Sequence, residues 1–205
     1  MKKFVKITEI ILVGWFLVAT CMRLFDIAGG GIFTVLSLLA LSIFYLAFGF
    51  TIFSTIKSKK EKNEEISEAQ NPLFVIAGIV MGCVASIACL GTLFKIMFWP
   101  GSGVLLAMGT ISFTFFLIGF IVVKVITKNS APFYNTIILR TGIFFLVISS
   151  LYSIPTDTLV DVLYRKRPQY AEMMKESIAN PTDEAIRLKM DIYRDSLDNS
   201  EYRNR

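Results

Sequence analysis

The chain has 205 residues, of which 54% are hydrophobic, and its formal net charge is +5. A hydrophobic fraction this high lies outside the usual range of soluble proteins and is typical of membrane proteins. The Lys and Arg residues before the C-terminal region cluster beside apolar runs, so the positive charge does not indicate nucleic-acid binding.

The sequence offers little that could carry a reaction. It contains no His, which removes the commonest proton shuttle and metal ligand. Its three Cys lie inside apolar runs without metal-ligand spacing, and it has no nucleophile elbow or Gly-rich phosphate loop. We therefore predict a protein that is not an enzyme and needs neither a metal nor a cofactor.

Residues 1–56 predict a first membrane hairpin. A basic start, Met1 to Lys6, precedes an apolar run from Ile7 to Met22, and a second run of about 22 residues covers Ile32 to Phe53. The Gly-rich stretch Ala28 to Gly31 between the runs supplies a flexible turn.

Residues 57–71 form a polar, charged connector, and residues 72–128 predict a second hairpin. Its two apolar runs, Leu73 to Leu93 and Val104 to Val123, are each long enough to cross the hydrocarbon. The turn between them is predicted at residues suited to the headgroup level and to chain reversal: Trp99, Pro100 and Gly101.

Small residues in the third span predict close helix packing. Gly78 and Gly82 form a GxxxG pattern, which lets two helix backbones approach closely. The contact could lie within the chain or between copies in a homo-oligomer.

The turn of the second hairpin also carries a family resemblance. Phe94-Lys95-Ile96, followed two residues later by Trp99-Pro100-Gly101, looks like the transmembrane hairpin of GldL, the inner-membrane motor component of gliding motility and type IX secretion in Bacteroidota. The similar region covers Gly82 to Phe120. In that family a buried glutamate on the second helix belongs, with this lysine, to the proton-handling site, and a His usually stands where this chain has Phe98. Here Val104 to Val123 contains no acidic residue, so the resemblance implies the hairpin, the inner membrane and a Bacteroidota origin, but not the motor chemistry.

The two hairpins resemble each other, which predicts a duplication. Three residues of the first match three of the second at an offset of 69, and five more match at an offset of 70. The first set pairs Leu24, Phe25 and Ile27 with Leu93, Phe94 and Ile96; the second pairs Gly31, Leu36, Ser42, Gly49 and Phe50 with Gly101, Leu106, Ser112, Gly119 and Phe120.

A fifth transmembrane helix is predicted over residues 133–155. Ten Lys and Arg flank the N-terminal side of the spans, and only Arg23 and Lys95 flank the other side before the tail. The positive-inside rule then predicts a cytoplasmic N-terminus, and an odd number of spans favours a periplasmic tail. A re-entrant fifth run would instead leave the tail in the cytoplasm, an alternative that the basic cluster Arg165 to Arg167 favours.

Residues 156–205 predict a helical tail of two short amphipathic helices outside the membrane. Asn180 and Pro181 resemble a helix start, with Asn180 as the N-cap. Apolar side chains at helical spacing then form a stripe suited to packing on the tail itself, on the bilayer or on a partner. The stripe consists of Ile186, Met190, Tyr193 and Leu197.

Charged residues within or beside membrane spans are costly and are therefore candidate functional residues: Glu9, Arg23, Asp26, Lys95 and Arg140. Arg23 and Asp26 share one helical face and can pair. Asp26 and Lys95 occupy equivalent positions of opposite charge, so they either pair or reach the membrane surface independently.

Together these features predict an all-α polytopic protein of about five transmembrane helices with a helical tail. We predict a non-catalytic structural or interaction subunit of a bacterial inner-membrane complex. Its expected partners are the lipid bilayer and other membrane proteins or a second copy, with no nucleic acid. The alternatives are an ion- or proton-coupled component of a motor or transporter, and a small membrane sensor.

The hypothesis that Asp26 and Lys95 pair predicts the outcome of a charge exchange. Lys95→Asp should destabilise the protein because two carboxylates would then face each other, and adding Asp26→Lys should restore stability. Thermal unfolding in detergent measures both variants. No recovery in the double variant would refute the pairing.

Overall fold

The chain is described by a computed structural model that covers residues 2–25, 27–53, 72–126 and 132–203. These residues form eight helices and no strand, which confirms the predicted all-α class. Five of the helices are long and apolar enough to cross a membrane. The helices are α1 (Lys2–Leu24), α2 (Gly30–Phe53), α3 (Pro72–Ile96), α4 (Ser102–Ile126), α5 (Pro132–Ser153), α6 (Thr156–Leu163), α7 (Pro168–Ala179) and α8 (Glu184–Arg203).

Several membrane helices extend past the apolar runs that predict them. Helix α1 includes the basic start of the chain, and α3 continues through Lys95 to Ile96. Long basic side chains tolerate such positions because they can carry their charge toward the headgroups while the backbone stays helical.

Helix α3 is the centre of the bundle and packs against α2, α4 and α5. The largest cluster of buried residues lies around it, where Met81 and Ala85 are fully buried beside Tyr45, Phe113 and Ile148. The Phe113 ring stacks on Phe144 of α5 with centroids 5.3 Å apart. Many large apolar side chains on the outer faces are exposed, as expected for helices in contact with lipid.

The contact between α2 and α3 is the most extensive in the bundle and depends on small residues. A Cβ added to Gly82 would lie 2.7 Å from the Tyr45 carbonyl oxygen and 2.8 Å from the Gly49 Cα. The hydroxyl groups of Ser42 and Ser86 lie 2.8 Å apart in the same interface. Lipid provides no hydrophobic drive for helix association, so close backbone contact and interhelical hydrogen bonds supply the attraction instead.

Both hairpin turns use the same helix-ending hydrogen bond. The Trp99 N–H donates to the Phe94 carbonyl at 2.8 Å, and the Ile27 N–H donates to the Met22 carbonyl at 2.9 Å. In the second turn Phe98 adopts a φ of 57°, which completes a Schellman motif. The hydrogen-bonded pairs are offset by 72 residues rather than by the 69 or 70 of the sequence match. The duplication itself stays a prediction.

The tail contains three helices in the described residues, whereas the sequence pattern predicts two. Helix α6 begins directly after Pro155 and was not predicted, because eight residues are too few to show a clear apolar period. Asn180 ends α7 rather than capping α8, since its N–H continues the helical pattern by donating to the Glu176 carbonyl at 2.9 Å. The predicted N-cap is therefore wrong: Asp183 accepts the Ala185 N–H at 2.9 Å and begins α8.

The glycine contact predicts a position-specific effect of added volume. Gly82→Ala should lower the free energy of unfolding by about 1–3 kcal/mol, because the new methyl group forces α2 and α3 apart. Gly119→Ala is the matched control, since a Cβ at Gly119 meets no atom within 4 Å. Unfolding in mixed detergent micelles measures both variants, and equal stability of the two would contradict the close contact.

Candidate functional site

Glu9 and Arg140 meet inside the bundle, near the end that holds the N-terminus. Arg140 of α5 donates from Nη2 to Glu9 Oε2 of α1 at 2.8 Å. The Tyr45 hydroxyl of α2 donates to the other oxygen, Glu9 Oε1, at 3.3 Å. Arg140 Nη1 also lies 3.5 Å from the carbonyl oxygen of Ile52 in the last turn of α2. Three helices therefore share one polar network, which we call the charge network.

The charge network is only partly shielded from its surroundings. The exposed fraction is 13% for the Glu9 side chain and 30% for Arg140, while Tyr45 is buried. Removing either charge would leave its partner uncompensated in a poorly hydrated place, where an isolated charge is costly. The arrangement can hold helices together, and Glu9 is also a carboxylate that could exchange a proton.

Sequence reasoning singled out Glu9 and Arg140 separately but did not predict that they pair. A usable signal was present in the sequence, because each stands a few residues after the start of an apolar run. The Glu9–Arg140 contact brings the early turns of α1 and α5 to the same end of the bundle.

At the opposite end of the bundle, Arg23 and Lys95 hold two connections together. Arg23 donates from Nη2 to the Ile96 carbonyl at 2.9 Å, and its Nη1 lies 3.0 Å from the Met97 sulfur. Lys95 is 8% exposed and donates to the Thr156 hydroxyl of α6 at 3.2 Å. Arg23 therefore ties the end of α1 to the second turn, and Lys95 ties α3 to the tail.

Asp26 lies outside the described residues, so its predicted pairs with Arg23 and with Lys95 stay predictions. The contact that the structure gives Lys95 is with the tail and not with α4.

The remaining predicted residues occupy helix contacts and surfaces. Trp99 and Pro100 lie exposed in the second turn, where the Trp99 ring contacts Phe94 edge to face with centroids 5.1 Å apart. Gly101 adopts a φ of 89°, a left-handed conformation that favours glycine. Gly78 is buried in α3, and Gly82 lies against Gly49 of α2.

The tail stripe packs within the tail itself. Ile186 is buried, Met190 is half-buried, and Tyr193 stacks on Tyr170 of α7 with centroids 6.2 Å apart. The side chain of Leu197 is not among those that the structure describes. Over the described residues, no group of three or more His, Cys, Asp or Glu is placed to hold a metal ion.

The five apolar helices indicate an integral membrane protein. In comparisons with known proteins, no family model, no curated protein and no solved structure matches the chain.

The charge network predicts a non-additive pair of substitutions. Glu9→Gln and Arg140→Gln should each lower the free energy of unfolding by roughly 1–3 kcal/mol. This range lies between the small loss expected when an exposed ion pair is broken and the larger loss expected for a fully buried one. The double variant should lose less than the sum of the two, because no charge is then left alone. Lys6→Gln, an exposed basic position of α1, is the control. Additive losses in mixed-micelle unfolding would show that the pair does not couple the helices.

Proposed function

We propose that the chain is a non-catalytic interaction subunit of a membrane complex, which binds its partner through the helical tail. The observation that carries this proposal is the outer face of α8. Leu188 and Ile192 lie one turn apart and are 62% and 61% exposed, on a helix whose opposite face packs on α7. An exposed apolar pair at this spacing suits a hydrophobic groove on a partner protein.

The attachment of the tail supports the same proposal. Lys95 holds the start of α6, and Lys166 donates to the Phe25 carbonyl at 2.9 Å, so the tail is fixed to the bundle at two places. A binding surface that is held in position loses less conformational entropy when a partner docks.

Location and orientation follow from the distribution of charge. We propose a bacterial inner membrane with the N-terminus in the cytoplasm, because ten Lys and Arg flank that side of the spans. The tail contacts the bundle at the end opposite the N-terminus, which supports a periplasmic tail. The GldL resemblance is consistent with this membrane and stays a prediction.

The proposal predicts a partner that depends on the outer face of α8. The tagged full-length chain, purified from its native membrane in mild detergent, should carry a stoichiometric membrane protein identified by mass spectrometry. Leu188→Ser with Ile192→Ser should reduce its recovery at least roughly tenfold, because two apolar contacts worth about 1.5–3 kcal/mol each are lost. Arg187→Ser with Lys189→Ser, two exposed polar positions of the same helix, should leave recovery unchanged.

Two results would contradict the proposal. Equal recovery with both double variants would place the partner elsewhere on the chain. Recovery of the chain alone or as a homo-oligomer would favour the ion- or proton-coupled alternative, for which Glu9 and Arg140 are the residues to test.

A further inference from the structure

The turn between α6 and α7 places basic side chains beside the C-terminal end of α1 in the first hairpin. Lys166 bonds to the Phe25 carbonyl, which holds this turn against the end of α1. A shallow surface cavity with room for about one water molecule lies between them, lined by Leu24 of α1 and by Leu163 to Arg167 of the tail. Leu24 is the last residue of the apolar span, so the cavity lies at the level of the membrane surface.

Arg165 is the side chain at this cavity that is available for a ligand. It is exposed and makes no hydrogen bond or ion pair within the described part of the chain. Asp161, one turn earlier on α6, is held by Lys175 at 2.6 Å. The charge of Arg165 is therefore not offset by this neighbour, and it adds to the charge of Lys166.

Exposed apolar surface adjoins these charges. Leu24 and Phe25 are 46% and 66% exposed at the end of α1, and Val162 is exposed on α6. A free anion would use the basic groups alone, whereas a phospholipid can place its phosphate at Arg165 and Lys166 and its acyl chain along Leu24. Basic groups beside a span attract anionic lipids by about 1 kcal/mol each.

We propose that the headgroup of an anionic phospholipid binds on the surface over this cavity, between the end of α1 and the α6–α7 turn. Arg165 and Lys166 contact the phosphate, and Leu24 and Phe25 contact the upper part of the acyl chain. This assignment is independent of the protein partner proposed for α8.

Native mass spectrometry of the full chain in detergent, titrated with phosphatidylglycerol or phosphatidylcholine, tests the site. The wild-type chain should bind phosphatidylglycerol several-fold more tightly than phosphatidylcholine. Arg165→Gln should weaken phosphatidylglycerol binding about fivefold, as expected for the loss of one charge at the surface. Lys189→Gln is the matched control, because Lys189 is also an exposed basic residue of the tail without a contact in the described residues.

Three outcomes would overturn the proposal. The first is equal affinity for the two lipids, and the second is an equal effect of Arg165→Gln and Lys189→Gln. The third is displacement of bound phosphatidylglycerol by inorganic phosphate, which would make the cavity a site for a free anion. Helical circular dichroism of each variant separates loss of the site from loss of the fold.

Discussion

The ion pair of Glu9 with Arg140 is the interaction that joins the first membrane helix, α1, to the last one, α5. In the described residues α1 packs on α2, hydrogen-bonds to the end of α3 through Arg23, touches the tail at α6, and is joined to α5 by the ion pair. In lipid, apolar side chains gain nothing by moving from the bilayer to another helix, which makes polar and close-packed contacts decisive. The Glu9–Arg140 ion pair therefore adds a polar contact between the first and fifth apolar helices to the apolar packing of the core.

The bundle uses two different kinds of contact around α3. On the α2 side, Gly49 and Gly82 bring backbones together, and Ser42 and Ser86 add a hydrogen bond. Beside α3, the contact between α4 and α5 is aromatic, as in the stacking of Phe113 of α4 on Phe144 of α5. The Tyr45 ring of α2 meets the Phe144 ring edge to face with centroids 5.3 Å apart, and its hydroxyl reaches Glu9, so Tyr45 contacts both α5 and α1.

Hydropathy alone was sufficient to predict the five spans and the all-α class, because length and apolar composition determine whether a helix can cross a bilayer. Contacts between helices were harder to predict from the sequence, since they depend on how the spans are arranged around α3. Gly82 could be recognised from its GxxxG pattern, but Gly49 as the residue opposite it could not. Lys95 could be recognised as a costly charge, yet its partner Thr156 lies on a helix of eight residues, too short to be predicted from the sequence pattern.

The tail connects the exposed basic residues of the α6–α7 turn to the buried Lys95 at the same end of the bundle. Helix α6 has Thr156, the partner of Lys95, at its start, and it ends beside the turn that holds Arg165 and Lys166. Helix α6 therefore connects the Lys95 contact at its start to the α6–α7 turn that follows its end.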